Sequence, residues 1–529
     1  MRHQLNLLLR NSLPFQFFLF LLGLSLLMHW FEIIKLAPTG SHIWRQCDSL
    51  SIVQNYFYDG QALLSPRTND YREAMRDVSL TEFPIIYYLD SWIWKLTGEN
   101  FWSPRLLNLF FLIAGLWGLF KGMSLLKIRK PLLFAVLALV MASPVLSHYA
   151  VNVLPNTAAI GLTFLSWYFF YRYDQEGTKK HLLIAILLLS LSGLLKITLI
   201  FSFVIYLFIL LYRWYQRKET PYFPLLLLFA GLGIIYLWTH YLNGYNHESA
   251  AASLFESFSV FAHSSEEIKA VWNGGFKDHW ILIEHRVFWF GFCILFLFNF
   301  YQIIRHRNWL VLWIHLLLMG SSTIYFLVFF MSFENHDYYL LDLIPHITVH
   351  LITTAYYLSR LSTKWPVLLF QLFAYTSVVI GSGHVVARNL DIQKGMAKLQ
   401  SHLVDRYSFG FHQYFRYDSS LRWPLKQYRK QLRQLGINRQ TAVICVPDQS
   451  PNISLYYFNL RGQSNFHLPL MEPTQELSQK AREGYQFLIL QKNLDQGLEE
   501  RLKTIDFYKI WEDQLITVYR ITTLATPKK

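Results

Sequence analysis

Nearly uncharged apolar runs about 20 residues long recur along this chain. Such a run can satisfy its own backbone polar groups in hydrocarbon only as a helix. Phe15 to Ile34 and Pro221 to Tyr241 are two of them, and about 20 residues suffice to cross a bilayer core. Charged residues make up 16% of the 529 positions, against about 25% in a soluble protein. The chain therefore reads as a polytopic α-helical membrane protein. Hydropathy windows place about 11 transmembrane helices, at roughly 14–34, 103–126, 131–149, 153–171, 181–195, 197–212, 221–241, 284–304, 309–331, 341–360 and 366–387. The run from His181 to Tyr212 is too long for one span, and Lys196 divides it. The first run exceeds a signal-peptide core and no small-residue cleavage site follows, so it is expected to be retained.

The formal charge of +14 points to basic cytoplasmic turns rather than to nucleic acid. Lys127 to Lys130, Arg172 with Lys179 and Lys180, Arg213 with Arg217 and Lys218, Arg305 with Arg307, and Arg360 with Lys364 fall on one side. By the positive-inside rule that side is the cytoplasm. The N-terminus with Arg2 and Arg10 is then inside, and the C-terminal region is outside. Three cysteines give no disulfide framework.

Two domains are expected. Residues 1–389 form the membrane domain, including a first outer loop at 36–102, and residues 390–529 form a small α/β domain outside the membrane. In the latter, Thr441–Val446, Gln486–Leu490, Phe507–Trp511 and Leu515–Ile521 read as strands, and Ser419–Leu435 and Thr474–Glu483 as helices. No glycine-rich nucleotide loop follows a strand.

The first loop is basic although it lies outside, so its cations are expected to serve another purpose. It holds Arg45, Asp48, Arg67, Arg72, Arg76, Glu82, Asp90 and Lys95 among many aromatic residues. Asp48 to Tyr58 has the apolar spacing of a helix on a membrane surface, and Pro84 can open a second helix running to about Lys95, with Gly98 ending it. Asp48, just outside span one, is the first candidate for a general base, with helix capping as the alternative. Glu82 is suited to orient a sugar hydroxyl, bind a metal or cap the next helix. Lys196, at an outer membrane boundary, suits a lipid phosphate or headgroup snorkelling. His336 and Asp337, in the turn before Leu340, are candidates for substrate contact, with capping as the alternative. The acidic and histidine residues between 242 and 283 match no metal spacing.

The order Asp48, loop helix, Glu82-Phe-Pro-Ile-Ile-Tyr87-Tyr88-Leu, Lys95-Leu-Thr-Gly98 and Ser103-Pro-Arg105 resembles the GT-C glycosyltransferases of the family 39 type. These include protein O-mannosyltransferases and the lipid A aminoarabinose transferase. Gly193 to Thr198 is similar to a later turn of that family, and the Trp44-Arg-Gln-Cys-Asp48 and His336-Asp-Tyr-Tyr339 segments are similar to Bacteroidetes-type members. The resemblance covers about residues 10–390 and implies a GT-C fold in a bacterial inner membrane. It also implies an inverting transfer of sugar from a polyprenyl-phosphate carrier to a lipid, glycan or protein acceptor on the outer face. Asp48 would be the base. Arg45, Glu82, Tyr87, Tyr88, Lys95, Arg105, Lys196, His336 and Asp337 would contact substrate. Many relatives have Asp-Glu where this chain has Asp48-Ser49. The histidine metal ligands proposed in aminoarabinose relatives have no counterpart here, so metal dependence stays open and no cofactor is assigned. A transporter of lipid-linked sugars would instead carry charges at mid-membrane in paired, interrupted helices. A non-catalytic assembly protein would need no acid in the first loop.

Overall fold

The computed structural model describes residues 12–38, 42–72, 76–77, 82–218, 221–246, 258–273, 283–334, 336–390, 423–448, 450–466, 468, 470–492, 494–503 and 508–521. Its contacts divide the chain into two compact units, one of residues 1–36, 104–243 and 248–417, the other of 37–103, 244–247 and 418–529.

Both units contribute to a helix series that in chain order begins with α1 (Leu13–Leu27), α2 (Ile43–Asp59), α3 (Ile85–Thr97) and α4 (Trp102–Leu125). Then come α5 (Lys130–Met141), α6 (Pro144–Ala150), α7 (Asn156–Glu176), α8 (Lys179–Leu195), α9 (Phe201–Arg217) and α10 (Tyr222–Asn246). The last long helices are α11 (Arg286–Arg305), α12 (Trp309–Phe329), α13 (Ile344–Leu358) and α14 (Trp365–Asn389).

The first unit is the helical one. Every expected span falls on helix, and among the described residues six helices are long and apolar enough to cross a membrane. They are α4, the continuous run from Ile197 through α9, α10, α11, the run from α12 to Glu334, and α14. A seventh span arises if α5 and α6 are taken together, but these are bent by 83°. The expected single span at 131–149 is therefore broken. Pro144 opens α6, where its missing N–H is harmless, and Ser143 caps it by accepting from Leu146 N. The Ser143 hydroxyl also donates to the Ile283 carbonyl at 2.6 Å. The remaining stretches, α1, α7, α8 and α13, are shorter or more polar.

Large apolar side chains on the outward faces stay uncovered, among them Phe110, Leu226, Phe290 and Leu297, as hydrocarbon surroundings permit. Inside, α4 and α7 approach through Gly115 and Gly161. A Cβ on either would meet the other helix's backbone, the small-residue packing that brings membrane helices together. Lys196 sits at the break between α8 and α9 in extended backbone (φ −151°), as its sequence position indicated.

The second unit contains the sheet. Strands β3 (Ala442–Val446), β4 (Arg461–Ser464), β5 (Phe487–Gln491), β6 (Tyr508–Glu512) and β7 (Ile516–Arg520) follow a two-residue ladder of β1 (Tyr71–Arg72) and β2 (Arg76–Asp77). Their order is β4-β3-β5-β7-β6. The β3 pairings with β4 and β5 are parallel, and the β7 pairings are antiparallel. Ile444, Val446, Leu488 and Leu490 bury one core with Leu477, Leu498 and Leu502.

Residues 37–103, expected to belong with the membrane helices, pack instead with residues 418–529. Asp70 bridges to Gly462 beside β4. Gln54 of α2 donates to the Tyr456 carbonyl at 3.2 Å, and Tyr457 donates to the Pro38 carbonyl at 3.0 Å. Arg439 donates to Asn55 at 2.9 Å and to Asp59 at 3.1 Å. Arg429 donates to Glu99 at 2.6 Å. The helix expected on a membrane surface is thus enclosed, with residues 46–56 all buried.

Candidate active site

Helix α2 begins after His42, which is left-handed at φ 58°, and stops at Gly60, left-handed at φ 65°. Asp48 is well inside it. The capping alternative for Asp48 therefore fails on position: the cap is His42.

Asp48 is 5% exposed, which makes its charge expensive. Burial raises its carboxyl, Arg45 opposes, Asp70 raises, a hydrogen bond from Asn452 opposes and Glu82 raises; the balance brings it up to about 7. A carboxylate there is poised to take a proton near neutrality.

One helical turn back, Arg45 reaches Ser49 at 3.2 Å and pairs with Glu82. Tyr87 of α3 donates to Glu82 at 2.5 Å, and the Tyr87 and Ser49 hydroxyls are 3.1 Å apart. Arg45, Glu82, Tyr87 and Ser49 close a ring. Burial raises the Glu82 carboxyl, but Arg45 and the Tyr87 and Arg45 hydrogen bonds outweigh it and hold it below the usual range. Glu82 caps nothing: α3 follows Pro84 without a side-chain cap.

Tyr88 and Lys95 turn away from this ring. Tyr88 packs edge-on to Tyr56 with centroids 5.2 Å apart. Lys95 is exposed, with its ammonium 4.2 Å over the Trp92 ring. Asp90 is buried elsewhere on α3, where burial brings its carboxyl up to about 7.

The helical unit holds the other candidates. Arg105 is buried at 2% exposure and donates to the Val151 carbonyl at 2.7 Å and the Leu36 carbonyl at 3.2 Å. It ties α4 to neighbouring backbone. Lys196 lies 3.6 Å from Asp342 and 4.0 Å over the Tyr339 ring. Asp342 also accepts from Thr198 at 2.6 Å and Tyr325 at 2.8 Å. Snorkelling does not describe Lys196, because a carboxylate inside the protein holds it.

Asp337 is buried, accepting from Tyr149 at 2.6 Å and from Arg388 at 2.7 Å. His336 is half-buried, its ring beside Phe258 and Tyr338 at 6.0 and 5.5 Å. Tyr338 lies near both Lys196 and Tyr149, at 5.8 and 6.3 Å, so these two polar clusters adjoin.

The sequence reading did not single out Asn452, Asp70, Tyr149, Asp342 or Arg388. Asp342 and Arg388 carried a usable signal, since each is charged within an apolar run. His247, Glu248, Asp278 and His279 lie outside the described residues. Among the described residues no group of three or more His, Cys, Asp or Glu side chains is placed to hold a metal ion.

No protein family model matches the chain, and no curated protein matches it. Solved structures do. ArnT from Cupriavidus metallidurans in the apo state aligns with a TM-score of 0.53 and 15% identity over 98% of this chain and 100% of that one. The same protein bound to undecaprenyl phosphate aligns at 0.51 and 14% identity, with the same coverage. This chain therefore has the ArnT-like GT-C fold, with a small sheet domain toward its C-terminus.

Proposed function

We propose that this protein is an inverting glycosyltransferase that moves a sugar from a polyprenyl-phosphate carrier to a hydroxyl of a lipid, glycan or protein. The reaction takes place on the outer face of a bacterial cytoplasmic membrane. The observation that carries this reading is Asp48, a buried carboxylate held near neutrality beside Arg45. The fold supports it, since an ArnT crystallised with undecaprenyl phosphate shares it.

In the proposed step the acceptor oxygen gives its proton to Asp48 and bonds to the anomeric carbon from the face opposite the carrier. The bond from that carbon to the phosphate oxygen breaks, and its electron pair leaves with the polyprenyl phosphate. The ring of Arg45, Glu82, Tyr87 and Ser49 fixes the turn of α2 that carries the base, because each of the four groups finds its partner within the ring. In the helical unit, Lys196 is the cation proposed to meet a lipid-linked phosphate.

Mass spectrometry after incubating the purified protein with a panel of polyprenyl-phosphate sugars and acceptors tests the reaction. Transfer from at least one donor is expected. Passage of donors across vesicle bilayers without transfer would replace the reading with a transporter.

Two further results are expected. Lys196→Ala weakens polyprenyl-phosphate affinity by about 10- to 100-fold, the range for a contact to a charged group. Combining it with Asp342→Asn removes the stranded carboxylate as a cause. Unchanged affinity in the double variant would reduce Lys196 to the counter-ion of Asp342. The second result concerns sidedness. A cysteine replacing Ser478, on the helix Pro473–Arg482, reacts with an impermeant thiol reagent in spheroplasts. Reaction only after lysis would put that helix in the cytoplasm.

A further inference from the structure

The loop after β3 is held by side chains at almost every turn. Asp448 is fully buried and accepts from Ser450 N at 3.0 Å, the Ser450 hydroxyl at 2.6 Å and Ser454 N at 2.6 Å. Gln491 of β5 donates to the Pro447 carbonyl at 3.0 Å and to Ser454 at 2.8 Å. Ser464 of β4 donates to the Ser450 carbonyl at 2.6 Å. Two neighbouring strands therefore brace this loop from its flanks.

What the loop presents is Asn452, whose side chain is wholly buried. Its amide nitrogen donates to the Ser51 hydroxyl at 2.7 Å and lies 3.5 Å from the Cys47 carbonyl. Ser51 in turn donates to the Asp48 carbonyl at 2.7 Å. Asn452 thus grips the turn of α2 that contains Asp48, and its amide is among the groups that favour the charged Asp48 carboxyl. Its Oδ1 is buried without a hydrogen-bond partner among the described residues. An amide is suited to both states of a base: its N–H favours the carboxylate, and its oxygen can accept a hydrogen bond from the acid O–H.

We propose that Asn452 is a positioning residue for Asp48, so that the C-terminal α/β fold completes the site that α2 begins. This rests on the reading of Asp48 as the base. Among the described residues, the other charged or titratable groups that act on Asp48 include Arg45, Asp70, Glu82 and Cys47, and Asp448 acts on Cys47. Of these only Arg45 favours the charged carboxylate, so loss of the Asn452 N–H removes one of two groups that do so.

The test uses the full-length protein in detergent and two readouts. One is the pH profile of transfer. The other is infrared titration of the Asp48 carboxyl, identified by its loss in Asp48→Asn, which needs no activity. A hydrogen bond to a charged group is worth about one to two pKa units. In Asn452→Leu both titrations move upward by at least about one unit. Transfer at pH 6 falls about tenfold and recovers as the pH is raised, while the donor KM is unchanged. Asn452→Ser, which keeps a donor and is less disruptive to folding, moves both in the same direction by less. A carboxyl titration in these variants identical to that of the parent protein would overturn the proposal. A rate loss of the same size at every pH would also overturn it. If Asp48→Asn abolishes transfer while the Asn452 variants leave the profile unmoved, only the positioning role falls. If Asp48→Asn retains transfer, the base and its positioning residue fall together.

Discussion

Asp48→Asn is expected to slow sugar transfer about 100- to 10,000-fold, the usual contribution of a general base, with donor affinity nearly unchanged. The substitution is almost isosteric, and Asp48 caps no helix, so no loss of folding accompanies it. The parent protein's transfer rate is expected to rise with pH up to about 7, where the carboxyl titrates, and to be level above it, because only the carboxylate accepts a proton. Stability moves in the opposite sense. The folded carboxyl holds its proton to higher pH than the unfolded one, so stability declines as pH rises from about 4 toward 7. Asp48→Asn removes this decline together with the activity. Asp48→Glu keeps the charge but displaces it by about one methylene, and loses on the order of 100-fold. Turnover at saturating donor and Tm across pH, for all three proteins, measure these effects. Near-normal turnover in Asp48→Asn would move the search for a base to Glu82, which pairs with Arg45 in the same cluster.

Arg388→Ala is expected to destabilise the protein by about 3–5 kcal/mol, the range for stranding one partner of a buried ion pair. Arg388 and Asp337 are both buried, with their charged atoms 2.7 Å apart. Removing the guanidinium takes away the cation that faces one Asp337 oxygen, while the other accepts from the Tyr149 hydroxyl. The double variant Asp337→Asn with Arg388→Met removes both charges and recovers most of the loss, since buried pairs are often replaceable by apolar groups of similar volume. Thermal unfolding of the detergent-solubilised variants reports both. A single variant as stable as the parent would show that water reaches this pair.

The helices were legible because apolar length is a local property of the chain, and the break at Lys196 followed from one charge in a long apolar run. The bend between α5 and α6 was equally local, since Pro144 lies in the middle of the run, but window averaging hides it. Strands β3, β5, β6 and β7 showed their apolar patterns. Strand β4, Arg461-Gly-Gln-Ser464, has no such pattern and forms because β3 offers it an edge.

Asp48, Glu82, Arg45 and Tyr87 are named from one stretch of sequence, and the structure brings them together. Their surroundings were not found. Nothing near Asp48 in sequence points to Asn452, and nothing near Asp337 points to Arg388. Lys95 and Tyr88 belong to the same motif as Glu82, yet helical periodicity turns them to other faces of α3. The membership of residues 37–103 in the unit with the sheet had no local signal at all, since it rests on contacts between distant parts of the chain.

Those contacts also set the schedule on which the protein can mature. Gln54 and its carbonyl partner at Tyr456 are 402 positions apart, and a ribosome adds about 5–20 residues each second. Helix α2 leaves the ribosome on the order of 20–80 seconds before its partner segment around Tyr456 exists. Throughout that interval Gln54, Asn55 and the carboxylate at 48 lack the C-terminal groups that later enclose them. Closing so long a loop is also slow in itself, because its entropy must be lost before the contacts form. The cluster around Asp48 is therefore assembled only after the segment around Tyr456 has been translated, and a shorter chain cannot carry a finished one.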